Sequence, residues 1–266
     1  MTADSIRSCL APDFPWADRV TCFPCLDSTN NRLKLLAAQG APHGTVLLAD
    51  RQTAGRGRRG RSFHSPAGVG IYMSVLLRPD CPPDALMHLT CAAAVALCDA
   101  VEETTGILPG IKWTNDLVVG RRKLAGILTE LVLDSRGRVS GAILGVGINC
   151  LQRPEDFPEE LREMAVSLAQ LTPEPPSRSR LAAAMLEAFC RMDRDLLSCR
   201  EQILSRYRSL CVTLGQPVSL LRGDTVRHGR AVDLNAQGAL IVEFPDGHRE
   251  TVDSGEVSVR GMYGYL

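Results

Sequence analysis

The stretch Gly55-Arg56-Gly57-Arg58-Arg59-Gly60-Arg61 holds four arginines, three glycines and nothing apolar, so it cannot lie in a core. Its flanks say where it must go. Thr45-Val46-Leu47-Leu48-Ala49-Asp50 before it and Gly70-Ile71-Tyr72-Met73-Ser74-Val75-Leu76-Leu77 after it are apolar runs of strand length, and each predicts a buried β-strand. The fold therefore has to present a cationic loop between two core strands, the position in which a rigid scaffold carries a binding site. Glycines let the backbone approach a ligand, and guanidinium forks match phosphate and carboxylate oxygens. The loop predicts an anion clamp. Charges this dense repel one another, so the loop is expected to be mobile when empty and ordered when filled, as a lid. A solvated basic face or a nucleic-acid patch is the competing reading.

Charge balance decides against the second of these. The 266 residues carry 30 basic and 30 acidic side chains, whereas a general nucleic-acid binder is basic overall. The positive charge is local and calls for a specific anionic ligand. Ten cysteines are scattered, mostly through apolar stretches as at Cys91, Cys98, Cys150 and Cys190, which predicts buried free thiols. Cys22 and Cys25 have CxxC spacing, but no second pair follows at zinc-ligand distance, so neither metal nor redox work is expected of them. No signal peptide is visible and no apolar run approaches the roughly 20 residues that cross a bilayer. The expectation is a cytoplasmic protein with no membrane partner.

Residues 1–19 mix Pro, Asp, Ser and Trp without a period and predict an irregular leader that packs at most Phe14 and Trp16. An extended stretch from Val20 leads into Leu26-Asp27-Ser28-Thr29-Asn30-Asn31 and a helix-period run closed by Gly40. Ser28 and Thr29 are N-cap candidates first, and ligand-binding hydroxyls second. Pro82 and Pro83 open a long alanine-rich helix that ends near Gly106, with a face suited to close packing on a sheet. Ile111-Lys112-Trp113-Thr114-Asn115-Asp116-Leu117, the run from Lys123 to Leu133 and the strand from Ala142 to Asn149 continue the sheet. Glycines alternate in the last, at Gly145 and Gly147, which fits close backbone approach to a ligand. Lys112 and Lys123 each sit in an apolar stretch, where a lysine needs an anionic partner or a route to water. Two of them near Asn115, Asp116 and Asn149, with an arginine loop at hand, predict an anionic small-molecule site. Residues 178–211 predict helices that only pack. From Gly215 the period changes to two, at 217–221, 239–244 and 256–259, predicting a small β-barrel. The fold class is α+β: a mixed sheet with flanking helices over residues 20–213, then the barrel over 214–266.

From residue 26 onward the chain resembles the biotin protein ligases (biotin–[acetyl-CoA-carboxylase] ligases). The motifs are Asp27-Ser28-Thr29-Asn30, Gln52 with the arginine loop, Lys112-Trp113-Thr114-Asn115-Asp116, Lys123-Leu124-Ala125-Gly126-Ile127-Leu128 and Gly145-Val146-Gly147-Ile148-Asn149. The resemblance implies a class II synthetase-like catalytic fold with a C-terminal SH3-like β-barrel. It places Ser28, Thr29, Asn30, Gln52, Gly55, Arg56, Gly57, Arg58 and Lys123 around biotin, and Arg58, Arg61, Phe63, Lys112, Asn115 and Asn149 around ATP. The implied reaction makes biotinyl-AMP and then passes biotin to a lysine of a biotin carrier domain. Lys123, Arg58 and Asp116 would carry the catalysis, with Mg²⁺ arriving on the ATP phosphates.

Two positions depart from the family pattern: Thr114 stands where proline is usual, which bears on turn stiffness, and Phe63 where Trp is common. Some relatives carry an N-terminal winged helix that represses transcription; the short leader implies ligase activity without DNA binding or repression. Relatives of this layout can dimerise through the large sheet, which leaves a homodimer open. The rivals are a lipoate ligase of the same fold, whose Arg-Arg and triple-glycine run is not found here, and a nucleotide or RNA-binding module, which has no use for Lys123 beside Gly126.

Overall fold

The apolar run after the arginine loop forms the strand Gly70–Leu77, and all eight of its residues are buried. A strand buried on both faces needs cover on both sides, and the rest of the large domain supplies it. The structure is a computed structural model that describes residues 1–253 and 258–261. Seven strands make the large sheet: β1 (Val20–Leu26), β2 (Thr45–Gln52), β3 (Gly70–Leu77), β4 (Gly110–Lys112), β5 (Asp116–Val119), β6 (Arg122–Leu133) and β7 (Val139–Asn149), in the order β1-β2-β3-β7-β6-β5-β4. β1 and β2 run parallel, and the other neighbours are antiparallel. A parallel pair needs a crossover, which the helix Thr29–Ala38 provides. Pro24 is tolerated in β1 because that strand is an edge with β2 as its one neighbour.

Among the described residues, five α-helices flank the sheets: α1 (Ala3–Arg7), α2 (Thr29–Ala38), α3 (Leu89–Thr105), α4 (Arg178–Asp195) and α5 (Arg200–Leu210). Strand side chains alternate between faces, and the core divides accordingly. Val46, Leu48, Ile71, Met73 and Val75 share one apolar cluster with α3 and α4. Leu47, Leu76, Val132 and Ile143 point the other way and pack with Leu33 and Ala37 of α2. On this second face the apolar cluster occupies only one end. The other end, at the N-terminus of α2, is polar, and the candidate site lies there. None of the helices among the described residues is long and apolar enough to cross a membrane.

Three expectations change. The leader is not irregular: α1 opens on a capping box between Thr2 and Ser5, and Ile6 and Leu10 join Phe14 and Trp16 in the core. A helix of five residues is too short to show a period, which hid it. The long helix starts at Leu89 rather than at the prolines, because Pro83–Leu86 forms a separate 3₁₀ turn; its end is as expected, with Gly106 left-handed at φ 71°. Nor does α3 pack on the sheet alone, since it also contacts α4 and α5.

The last strands are β8 (Pro217–Arg222), β9 (Thr225–Leu234), β10 (Leu240–Glu243), β11 (Arg249–Val252) and β12 (Ser258–Gly261), an antiparallel sheet ordered β11-β10-β9-β8-β12. It meets the SH3-like expectation. Glu256 and Val257, expected in the final strand, lie outside the described residues. The linker ahead of this sheet lines the free edge of β4: the Val212 N–H donates to the Ile111 carbonyl at 2.9 Å.

Candidate active site

Each residue of the polar end is placed by the strand or helix that carries it. Ser28 is the N-cap of α2, accepting from the Asn31 N–H at 3.5 Å, and its side chain also lines the cleft. Thr29 and Asn30 follow in the first turn. The Thr29 N–H and hydroxyl both donate to Gln52 Oε1, at 2.9 and 3.1 Å, and Gln52 Nε2 donates to Ser65 Oγ at 3.0 Å. Beneath them lies Ser74, fully buried in β3. Its single hydroxyl hydrogen is shared between Thr29 Oγ1 at 2.7 Å and Asn30 Oδ1 at 2.6 Å. Asn30 Nδ2 in turn donates to Glu130 Oε2 at 2.9 Å. Buried polar groups persist only when bonded, and this chain of bonds satisfies and orients them together.

The glycines of β7 make room for that arrangement. A Cβ on Gly145 would fall into the Asn30 amide, and one on Gly147 into the Phe63 ring. The close approach inferred from their spacing is thus made by the protein's own side chains. Gly126 does the same for Lys123, whose Nζ would lie 3.0 Å from a Cβ there.

The cationic end is built around the turn from β4 to β5. Lys123 Nζ pairs with Asp116 Oδ1 at 2.7 Å, both side chains mostly withdrawn from solvent. Asn115 Nδ2 donates to the same Asp116 oxygen at 3.1 Å and to the Ile127 carbonyl at 2.9 Å, and Asn115 Oδ1 accepts from Arg58 Nη1 at 2.7 Å. Burial lowers the pKa of the Arg58 guanidinium, and the Asp116 charge opposes that shift. The Trp113–Thr114 peptide bond is cis.

The arginine loop folds back as a small hairpin: the Gly57 N–H donates to the Arg61 carbonyl at 2.7 Å and the Phe63 N–H to the Gly55 carbonyl at 2.9 Å. Arg59 is left-handed at φ 57° and Gly60 follows at φ 73°; the first is a strained state for a residue with a Cβ. Arg56 ties the loop down, with Nη1 at 2.8 Å from Asn31 Oδ1 and 3.3 Å from Glu130 Oε1. Glu130 also pairs with Lys34. Burial would raise the Glu130 pKa, but the bonds from Lys34 and Asn30 and the Lys34 and Arg56 charges outweigh it, and the group is held below its ordinary value.

One cleft thus gathers Ser28, Thr29, Asn30, Gln52, Arg56, Gly57, Arg58, Arg61, Phe63, Lys112, Asn115, Asp116 and Lys123. Two residues expected in the site are not part of its lining. Asn149 is 5% exposed, with Nδ2 donating to the Val166 carbonyl at 3.1 Å and Oδ1 accepting from Gln152 at 3.1 Å; it braces the strand end instead. Gly55 is buried, packed where a Cβ would strike the Phe63 carbonyl. Residue reasoning missed Ser74 and Glu130, and it included Arg59 in the anion clamp without singling it out, although that residue lines the cleft. The first two had a signal: a lone hydroxyl and a lone acid, each inside an apolar strand.

Comparison with known proteins agrees with this geometry. The Biotin/lipoate A/B protein ligase family matches residues 22–149, and the biotin protein ligase C-terminal domain matches residues 213–260. The bifunctional ligase/repressor BirA of Bacillus subtilis is 38% identical over 223 residues, 84% of this chain and 68% of the relative. The biotin--[acetyl-CoA-carboxylase] ligase of Mycobacterium tuberculosis is 35% identical over 236 residues, 86% of this chain and 85% of the relative. A solved biotin protein ligase from Aquifex aeolicus, in complex with biotin and ATP, superposes with a TM-score of 0.75 at 31% identity, covering 91% of this chain and 98% of that one. With both family domains in order and these relatives along most of its length, the chain belongs to the biotin protein ligases of the biotin/lipoate A/B protein ligase family.

Proposed function

We propose that this enzyme activates biotin as biotinyl-5'-AMP and transfers it to a lysine of a biotin carrier domain, with residues 20–213 as the catalytic unit. The observation that carries the reading is the polarity of the one cleft. Neutral hydrogen-bonding groups on Ser28, Thr29, Asn30 and Gln52 sit at one end, and Arg58, Lys112 and Lys123 stand at the other. The first end suits an uncharged polar ring system; the second suits a carboxylate meeting a polyphosphate.

In the first step a biotin carboxylate oxygen attacks the α-phosphorus of ATP, the bond to the bridging oxygen breaks, and pyrophosphate leaves. Two anions must meet, so cations have to suppress their repulsion and stabilise the charge growing on the α-phosphate. Lys123 and Arg58 are placed for this, and Asp116 and Asn115 fix where their charges point. In the second step the carrier lysine's neutral amine attacks the biotinyl carbonyl and AMP leaves, with Asp116 the nearest carboxylate to take the released proton. Magnesium fits as an ion carried by the nucleotide. Among the described residues there is no cluster of three or more metal-ligating side chains, and Asp116 is the one acidic group lining the cleft. A phosphate-bound Mg²⁺ needs only one or two carboxylates, and bound there it would neutralise phosphate charge.

The test is ATP–pyrophosphate exchange with biotin, lipoate or neither added, followed by transfer to a carrier domain. Exchange that requires biotin supports the reading; exchange driven by lipoate alone overturns it.

A further inference from the structure

Among the described residues, none beyond Gly147 lines the cleft, so the small sheet touches the site only through other groups. It nevertheless reaches deep. The turn between β9 and β10, residues 235–239, enters the large domain beneath the Lys112-Trp113-Thr114-Asn115-Asp116 segment. There Gly238 turns its carbonyl to the Trp113 indole, which donates from Nε1 at 3.0 Å. Gly238 is required at this point: its φ is +81° and a Cβ would lie 2.6 Å from Cys91 Sγ.

The turn is stiff. Asn235 Oδ1 accepts from the Gln237 and Ala239 N–H groups at 2.8 and 3.0 Å, while Arg200 Nε donates to the Ala236 carbonyl at 2.9 Å and Arg208 Nη2 to the Leu234 carbonyl at 2.7 Å. Two further anchors grip the same segment: the Trp113 N–H donates to Thr213 Oγ1 at 2.9 Å, and the Thr114 carbonyl accepts from the buried Tyr207 hydroxyl at 3.1 Å. The residues next in line are Asn115 and Asp116, which hold Arg58 and Lys123.

Resting on the ligase reading above, we propose that the Gly238 carbonyl and its turn are a positioning element for the nucleotide end of the site. They fix the Trp113 indole so that Asn115 and Asp116 present the two catalytic cations at one setting. The neutral end, which suits the biotin ring system, is held separately, because Thr29 and Asn30 are bonded by Gln52, Ser74 and Glu130.

The experiment is biotin-dependent pyrophosphate exchange with ATP and biotin varied separately, on Trp113→Phe, which keeps a ring and removes the N–H, and on Arg200→Ala, which loosens the turn far from the cleft. Loss of one hydrogen bond of about 1 kcal/mol corresponds to about fivefold. Trp113→Phe should raise the KM for ATP about fivefold or more, with Arg200→Ala moving it the same way, while the KM for biotin, whose ring end is held separately, rises less. A merely structural role would lower the melting temperature and the folded fraction and leave the ratio of the two KM values unchanged; an unchanged ratio in both variants overturns the proposal. If the unaltered enzyme shows no biotin-dependent exchange, the ligase reading itself fails and this proposal falls with it.

Discussion

Lys123 and Asp116 form a charge pair in the cleft, 2.7 Å apart, and the pair shapes what substitution does. On the proposed mechanism, Lys123→Gln removes a cation from the growing phosphate charge and also the charge that offsets Asp116 beside the incoming anions. The expected loss is about 3 kcal/mol or more, at least a hundredfold in exchange rate, with an unchanged circular dichroism spectrum. Because part of that loss is an Asp116 charge that Lys123 no longer offsets, the double variant Lys123→Gln/Asp116→Asn should lose less than the product of the two single losses; strict additivity would contradict the coupling. Ser74→Ala tests the other end. Without its hydroxyl, Thr29 and Asn30 lose their shared anchor, and biotin affinity measured by calorimetry should fall about five- to thirtyfold. The KM for ATP should hardly move. Ser74 gave only a faint signal, because a small hydroxyl in an apolar strand can be satisfied locally, whereas Lys123 was legible because a lysine in an apolar run demands a partner.

At the scale of elements, the arginine loop is the part whose composition was most informative and whose conformation was least so. Four like charges predict a mobile lid, and the hairpin bonds, the Arg58–Asn115 bond and the Arg56 tether to Glu130 are the contacts that hold it in the conformation seen here. No local rule could pair Arg56 with Glu130, since the two are brought together by α2 and β6. Glu130 has its pKa held below the ordinary 4.5. A depressed carboxylate stabilises the fold at pH values above its unfolded pKa, and that contribution is lost as pH falls through the folded one. The melting temperature of Glu130→Gln should therefore lie below that of the unaltered enzyme by a constant gap from about pH 8 to about pH 5, closing below about pH 4.5. A gap that closed above about pH 6 would remove Glu130 as its source.

At the scale of the whole molecule, the two sheets are coupled through Trp113, Thr213 and Gly238, all buried contacts. They should unfold together, as one transition in scanning calorimetry, and two resolved transitions would contradict it. Ligands that bind only the folded state add to its stability by mass action, about 2.7 kcal/mol at a hundredfold excess over Kd. For a chain of this size that is about 5–10 °C in Tm. Biotin with ATP should produce that rise, and lipoate with ATP should not.

The sequence by itself determined the α+β class, the two buried strands around a cationic loop, the switch to period two after Gly215, and the residue types of an anion site, because burial and charge are written locally. Tertiary structure decided what those types do. It gave the β7 glycines to Asn30 and Phe63, took Asn149 out of the cleft to brace Val166 and Gln152, and made a packing tyrosine, Tyr207, into an anchor of Thr114. These outcomes depend on which strand lies beside which. β4 to β7 are joined by short turns, but β3 lies between β2 and β7. Along the chain β3 is separated from β7 by α3 and three strands that carry no trace of the contact, so the bonds across that seam are set only when the chain closes on itself.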